Sequence, residues 1–250
     1  MFHLGHDLNN CGLATPWTRW CGDYHLAVRR VVAPRVKICC TQNREEASMA
    51  INAGASALGF VSAMPSGPGV ITDDQIADIV RCVPPPIATF LLTCRQDVEG
   101  IVAQQRHTGA NTVQLCDEVA ASDHRALRAE LPGVSIVQVV HVTGEESIEE
   151  AVAVAPCVDA LLLDTGNRVA AVKELGGTGR LHDWAISRRI RDEVLVPVFL
   201  AGGLRPENVA QAIRIVEPFG VDICSGLRPN GGLDGPLLED FFDAVVNASN

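Results

Sequence analysis

The 250-residue sequence lacks the features of several common protein classes. It contains no cluster of lysine or arginine, and its formal net charge is −10, which argues against nucleic acid or an anionic membrane as a partner. Aromatic residues make up only 4% of the chain, too few to build stacking platforms for bases. No apolar run approaches the roughly 18 residues of a membrane-spanning helix. We therefore expect a protein whose partner is a small molecule.

The nine cysteines lack the spacing of a metal site or of a disulfide framework. The chain has no C-x-x-C pair, the number of cysteines is odd, and a chain of this length can build its core without disulfides. Residues 1–34 also lack the basic segment and long apolar stretch of a secretory signal. These absences predict reduced thiols, no bound metal and a cytoplasmic location.

From residue 35 onwards, short apolar runs alternate with amphipathic, alanine-rich stretches. The eight apolar runs are residues 36–40, 57–62, 87–92, 111–116, 134–141, 159–164, 196–202 and 221–226. Such continuous runs are typical of parallel strands that are buried on both faces. Eight of them in series predict a (β/α)8 TIM barrel over residues 35–250, preceded by an N-terminal extension, residues 1–34. The alternative, an open doubly wound sheet, is disfavoured because TQNREE follows the first run where G-x-G-x-x-G would be expected.

Helices are predicted between and after these runs. They cover residues 43–53, 73–82, 97–107, 120–130, 147–155, 184–191, 206–216 and 236–246. Gly54 is a stop signal for the first helix, and Pro206 suits the first turn of the seventh.

The residues at the ends of the predicted strands are the candidates for catalysis and binding, because barrel active sites lie at the carboxyl ends of the strands. Cys39 and Cys40 end the first run. Asp164 ends the sixth run after three leucines, where a carboxylate is costly unless it has a partner or a task. Gly202 with Gly203, and Ser225 with Gly226, follow the last two runs, in the loops that bind phosphate in many barrels. The sequence therefore predicts a phosphate site between these two loops.

A series of short motifs carries a resemblance to a known family. In chain order they are KIC (37–39), GASALGFV (54–61), NTVQL (111–115), LLLD (161–164), GGTG (176–179) with HDW (182–184), LAGGLRPENV (200–209) and VDICSG (221–226). From residue 35 to its end, the chain resembles the phosphoribosylanthranilate isomerase family of tryptophan biosynthesis. The resemblance implies a cofactor-free Amadori rearrangement that converts a phosphoribosylated aromatic amine into an aminodeoxyribulose phosphate.

The resemblance also implies the roles of individual residues. Cys39 corresponds to the general base and Asp164 to the general acid. Asp164, kept protonated by its apolar surroundings, would open the ribose ring, and Cys39 would act as a thiolate after a modest lowering of its pKa. Cys40 is expected to point into the helix layer and to serve packing only. Candidates for further substrate contacts are Gln114, Gly177, Asp222 and Arg228.

The sequence departs from the family at the aromatic end of the expected site. Gly69 stands where the family has an arginine that meets the anthranilate carboxylate, and Cys116 replaces a histidine. Arg228 replaces a glutamate, and Arg228 and Arg205 are the candidates to replace the lost cation. Two alternatives therefore remain open: the same acid–base pair acting on another phosphorylated sugar amine, and a non-catalytic phosphosugar-binding barrel. The sequence does not indicate the oligomeric state.

Overall fold

In a computed structural model, the described residues are 33–166, 173–177 and 179–248. The strands are β1 (Arg35–Ile38), β2 (Ala57–Val61), β3 (Ala88–Thr93), β4 (Thr112–Leu115), β5 (Ser135–His141), β6 (Ala160–Asp164), β7 (Val198–Leu200) and β8 (Gly220–Ile223). The helices are α1 (Arg44–Ala53), α2 (Asp73–Val80), α3 (Val98–Thr108), α4 (Ala121–Glu130), α5 (Glu146–Val154), α6 (Trp184–Glu193), α7 (Pro206–Val216) and α8 (Gly235–Ala248). Neighbouring strands are parallel, and β8 pairs with β1 to close the barrel. The predicted (β/α)8 fold is confirmed.

The predicted and observed elements differ only at their ends. The apolar runs that contain β7 and β8 extend beyond the strands, because their glycine-containing ends bend out of the sheet into loops. A short 3-10 helix, Ser225–Leu227, follows β8. The predicted extension lies outside the described residues except for Ala33 and Pro34. No helix in the described part of the chain is long and apolar enough to cross a bilayer.

The helix ends follow from local sequence. Asn43 caps α1 by accepting a hydrogen bond from the Glu46 N–H at 2.8 Å, and Gly54 ends this helix in a left-handed conformation with φ 110°. Thr72 and Gln75 form a reciprocal capping box at the start of α2. These caps fix where α1 and α2 begin relative to the preceding strand ends.

The core has an outer and an inner part. The outer part lies between the strands and the helices and includes Ile38 and Leu161. The inner part fills the barrel and includes Phe90, whose ring meets that of Phe199 edge to face. Side chains alternate along a strand, so Ile38 faces outward while Lys37 faces the barrel interior, where it is completely buried.

Candidate active site

A pocket opens at the carboxyl ends of the strands and collects most of the predicted site residues. Those that line it are Cys39, Gln114, Asp164, Gly177, Gly202, Gly203, Asp222 and Ser225. They come from five different strands or from the loops that follow them, so only the closed barrel brings them together. Gly226 is not part of the lining, since it packs against the backbone of Leu204.

Asp164 lies at the end of β6, where protein surrounds its carboxyl group although part of its surface faces the mouth. Burial raises its pKa to about 7, even though the N–H groups of Thr165 and Gly177 donate to the carboxylate and would lower it. The nearby Asp222 adds to the increase. At neutral pH, this carboxyl group is therefore poised between its two protonation states, as a general acid requires.

Cys39 follows β1 and lies on the inner side of the barrel. Burial raises the pKa of its thiol to about 11; the negative Asp222 raises it further, and the positive Lys37 opposes both. The expectation of a thiol that needs only a modest pKa decrease is corrected here. With this pKa, the thiol holds its proton at neutral pH.

An ion pair lies next to this thiol. Lys37 Nζ is 2.9 Å from Oδ1 of Asp222, which stands opposite it in the register of β1 and β8. The two groups form a buried ion pair, in which the charge of Asp222 is the main influence that favours the ammonium form of Lys37. Lys37 is fully buried, and its Nζ also lies 5.1 Å from the centre of the Phe90 ring. Burial lowers its pKa, but the surrounding negative groups outweigh burial and the net pKa is raised.

Cys40 and Cys224 form a disulfide across the mouth, with their Cα atoms 5.9 Å apart. Two expectations are therefore wrong: that these thiols are reduced, and that Cys40 points into the helix layer. The strand ends at Ile38, so strand alternation does not extend to Cys40, which has φ 60° and turns towards β8. Cys157 is disulfide-bonded as well. In the described part of the chain, the free thiols are Cys39, Cys82, Cys94 and Cys116.

Gly69, which stands in place of the family arginine, packs directly against this disulfide. A Cβ atom built on Gly69 would lie 2.5 Å from the Cβ of Cys40, and the residue has φ 79°, a conformation that favours glycine. No side chain fits there while Cys40 keeps its position. The missing arginine and the disulfide are thus two parts of one local arrangement.

Arg228 does not line the pocket, which corrects the prediction that it contacts substrate. Its Nη1 and Nη2 atoms each donate to a different oxygen of the Glu46 carboxylate at 2.9 Å, and only 3% of the side chain is exposed. Nη2 also lies 3.4 Å from the carbonyl oxygen of Cys39. Arg228 therefore ties the loop after β8 to α1 and to the backbone of the thiol residue. Arg205 precedes α7 and is exposed outside the pocket.

The loops after β7 and β8 present backbone donors to the pocket. Within the described residues, the N–H groups of Gly202, Gly203 and Ser225 donate no hydrogen bond to protein atoms. Asn208 holds the first loop by donating to the carbonyl oxygen of Gly203 at 3.0 Å. Free N–H groups that converge beside the start of α7 are suited to an anion.

Lys37 is the residue that the sequence analysis missed. It lies in the KIC motif, which by itself does not indicate a role for it. Two signals were available: a lysine in a strand buried on both faces needs a charged partner, and its spacing of two from Cys39 places both side chains on the same side. The partner, Asp222, could not be identified without knowing which strands pair.

The fold and the site together define a class of protein. A closed barrel with a carboxyl group, a thiol and loops of free N–H groups at the carboxyl ends of its strands has the arrangement of (β/α)8-barrel enzymes. The family model described as N-(5'-phosphoribosyl)anthranilate (PRA) isomerase matches residues 36–244. The chain belongs to this isomerase family, and the resemblance drawn from its motifs is confirmed.

Similar proteins agree with this assignment. N-(5'-phosphoribosyl)anthranilate isomerase 2 of Methanosarcina mazei is 40% identical over 199 residues, which cover 79% of this chain and 87% of that protein. The isomerase of Haloferax volcanii is 38% identical over 216 residues, covering 86% and 94%. The crystal structure of phosphoribosyl anthranilate isomerase from Thermotoga maritima aligns with a TM-score of 0.74 at 29% identity, covering 86% of this chain and 99% of that one. A further crystal structure of this isomerase, in complex with reduced 1-(o-carboxyphenylamino)-1-deoxyribulose 5-phosphate, aligns with a TM-score of 0.72 at 28% identity.

Proposed function

We propose that this chain isomerises N-(5'-phosphoribosyl)anthranilate to the aminodeoxyribulose phosphate, with Asp164 as general acid and Cys39 as general base. One observation supports the assignment: the carboxyl group of Asp164, whose pKa is raised, and the buried thiol of Cys39 line the same pocket, next to the loops after β7 and β8 with their free N–H groups. In this proposal, the N–H groups of Gly202, Gly203 and Ser225 bind the phosphate of the substrate. The sugar then extends from these loops towards the acid and the base.

Ring opening is the first step. Asp164 in its protonated form donates to the ribose ring oxygen, the bond from that oxygen to C1 breaks, and the amine nitrogen forms an iminium bond with C1. The pKa of about 7 makes this proton available near neutral pH.

Proton removal from C2 is the second step. The Cys39 thiolate takes the C2 proton, and the electron pair forms a C1–C2 double bond that neutralises the iminium. The positive charge of the iminium favours the thiolate in this complex, because an opposite charge nearby stabilises the charged form. The resulting enolamine then loses the hydroxyl proton at C2 and gains a proton at C1 to become the ketoamine.

The two groups share one proton in this cycle. The reactive form has the proton on Asp164 and none on Cys39. Between pH 7 and pH 11, however, the pKa values of about 7 for Asp164 and about 11 for Cys39 favour an ionised carboxylate and a protonated thiol. Both forms carry the same total number of protons, so moving a proton between the groups interconverts them without exchange with solvent. The last step of the reaction leaves the enzyme with the same proton total.

A second candidate function concerns the aromatic end. Among the described residues that line the pocket there is no lysine, arginine or histidine, and Gly69 and the disulfide occupy the position of the family arginine. This neutral environment favours an aryl amine without a carboxylate as much as anthranilate. The substrate class, a phosphoribosylated aryl amine, is the same in both cases.

Steady-state assays of the purified protein test the proposal. The conversion of N-(5'-phosphoribosyl)anthranilate is compared with that of N-(5'-phosphoribosyl)aniline, with substrate and product separated by chromatography. We expect conversion of the first, and a loss of about 10²–10⁴-fold in turnover in Asp164→Asn and in Cys39→Ser. The exposed Cys82→Ser is the matched control and keeps wild-type turnover. Absence of conversion of both compounds by folded protein would refute the proposal, and conversion of the aniline compound alone would favour the second candidate.

A further inference from the structure

We propose that Lys37 is a positioning residue that sets how readily Cys39 gives up its proton, with Asp222 as the opposing charge. The inference rests on the proposed function in that it concerns the base of that reaction. It assigns a role to a buried cation that does not line the pocket and so does not meet the substrate.

The geometry brings the ammonium group and the thiol to one point. A Cβ atom built on Gly59 of β2 would lie 2.9 Å from Cys39 Sγ and 3.0 Å from Lys37 Nζ. The absence of a side chain at Gly59 therefore leaves a single small space that both groups border. Any larger residue in that strand would separate them or displace both.

The ammonium group remains available to the thiol. Its contact with Oδ1 of Asp222 at 2.9 Å engages one N–H group, and an ammonium carries three, so others remain for the thiol. A fully buried ammonium interacts strongly with any anion that forms beside it, because the surroundings screen charge poorly. The thiolate of Cys39 is such an anion.

The charges around Cys39 act in opposite directions. Lys37 on β1 favours the thiolate, and Asp222 on β8 disfavours it. Two further groups interact electrostatically with Lys37: the Cys116 thiol after β4, which is buried and neutral, and Asp164 at the end of β6. Because Lys37 is the cation of this set, its removal leaves only neutral or negative groups beside the thiol.

Lys37 and Asp222 have opposite effects on the Cys39 thiolate, so the inference can be tested without substrate. Only the thiolate reacts with an alkylating agent, so below its pKa the alkylation rate of Cys39 at fixed pH follows the thiolate fraction. We expect Lys37→Met to slow alkylation of Cys39 by iodoacetamide at pH 8.5 by about tenfold or more, and Asp222→Asn to accelerate it by a similar factor. The rate is measured by mass spectrometry of the Cys39 peptide, with Cys39→Ser identifying that peptide.

A purely structural role predicts a different pattern. Looser packing would expose the thiol and accelerate alkylation in both variants, so the slower rate in Lys37→Met is the distinguishing result. Lys37→Arg keeps the positive charge and is expected to restore at least part of the wild-type rate. If Lys37→Met does not fold, Asp222→Asn provides the test. Its alkylation rate should then be faster than that of the wild type, while its circular dichroism should show no loss of packing. An unchanged or faster rate in folded Lys37→Met, or an unchanged or slower rate in Asp222→Asn, would overturn the inference.

The outcomes separate this inference from the proposed function. If the wild-type protein has no isomerase activity but the two variants shift the alkylation rate in opposite directions, the charge arrangement stands and the proposed function is refuted. If the enzyme is active and alkylation is unaffected by either variant, the proposed function stands and the role of Lys37 is refuted.

Discussion

Gly69 and Cys40 are in such close contact that a Cβ atom at Gly69 would lie 2.5 Å from the Cβ of Cys40. The contact is held from the other side by the bond between Cys40 and Cys224. The resemblance to the family implies an arginine at this point, and its side chain does not fit while Cys40 keeps this position. Gly69, Cys40 and Cys224 thus form one packed unit of three residues from three loops.

Restoring the arginine should damage the protein. In Gly69→Arg, the left-handed backbone costs about 1–3 kcal/mol and overpacking against Cys40 costs a similar amount, so we expect a clearly lower free energy of unfolding. Denaturant unfolding measures the loss, and Gly69→Ala tests the effect of the Cβ atom alone. The same substitution introduced into Cys40→Gly should cost less than in the wild type. Equal costs in the two backgrounds would show that the contact with Cys40 is not the cause.

The disulfide should stabilise the fold. It joins residues 184 positions apart, and a loop of that length corresponds to about 5 kcal/mol in the chain-entropy model, with about 2–4 kcal/mol more typical of measured bonds. We expect Cys40→Ser/Cys224→Ser to have a lower free energy of unfolding by an amount in that range. A dithiol reductant should lower the stability of the wild type towards that of the variant. Because Cys157 is also disulfide-bonded, the variant treated with the same reductant is the control. Identical stabilities of the two proteins without reductant would contradict this prediction.

Arg228 should matter for stability rather than for substrate recognition. Arg228→Ala leaves the buried Glu46 carboxylate without its charged partner, with only the N–H groups of Gln42 and Leu233 as donors, and breaking such a pair costs about 3–5 kcal/mol. Removal of both charges in Arg228→Met/Glu46→Leu should cost less than the single change, since no unpaired charge remains. Unfolding experiments on the three proteins measure this difference. A normal free energy of unfolding together with a raised KM in Arg228→Ala would instead return Arg228 to the substrate site.

The barrel could be predicted from the sequence because eight short apolar runs alternate with amphipathic stretches, some of which have local end signals such as the Asn43 cap and the Gly54 stop. The acid, the thiol and the glycine loops followed from the rule that barrel sites lie at strand ends. The state of the thiol, the pairing of Cys40 with Cys224 and the partner of Arg228 could not be predicted in this way. Arg228 and Glu46, for example, are 182 residues apart, and their contact depends on how β8 closes onto β1. Charge and burial at a site depend on such distant pairs.

The raised pKa of Asp164 predicts a pH-dependent stability. The pKa is about 7 in the folded state against 3.8 for a free carboxyl group, so ionising Asp164 in the folded protein is penalised. The penalty is absent below pH 4, grows as the pH rises, and is complete above pH 7, with an upper limit of about 4 kcal/mol. We expect Asp164→Asn to gain stability relative to the wild type over this interval. A difference between the two proteins that does not change from pH 4 to pH 8 would mean that the carboxyl group has an ordinary pKa.

The pH dependence of kcat/KM tests the central claim, that Cys39 and Asp164 react while sharing one proton. With pKa values of about 7 and about 11, the singly protonated pair becomes dominant as the pH rises through 7 and remains so to the limit of stability. We therefore expect kcat/KM to increase up to about pH 7 and then to stay level. The residual activity of Asp164→Asn should instead continue to increase above pH 7, because without the carboxyl group the rate follows the thiolate fraction of Cys39, whose pKa is about 11. A wild-type kcat/KM that falls as the pH rises through 7 would show that the reactive form carries both protons, and would contradict the account.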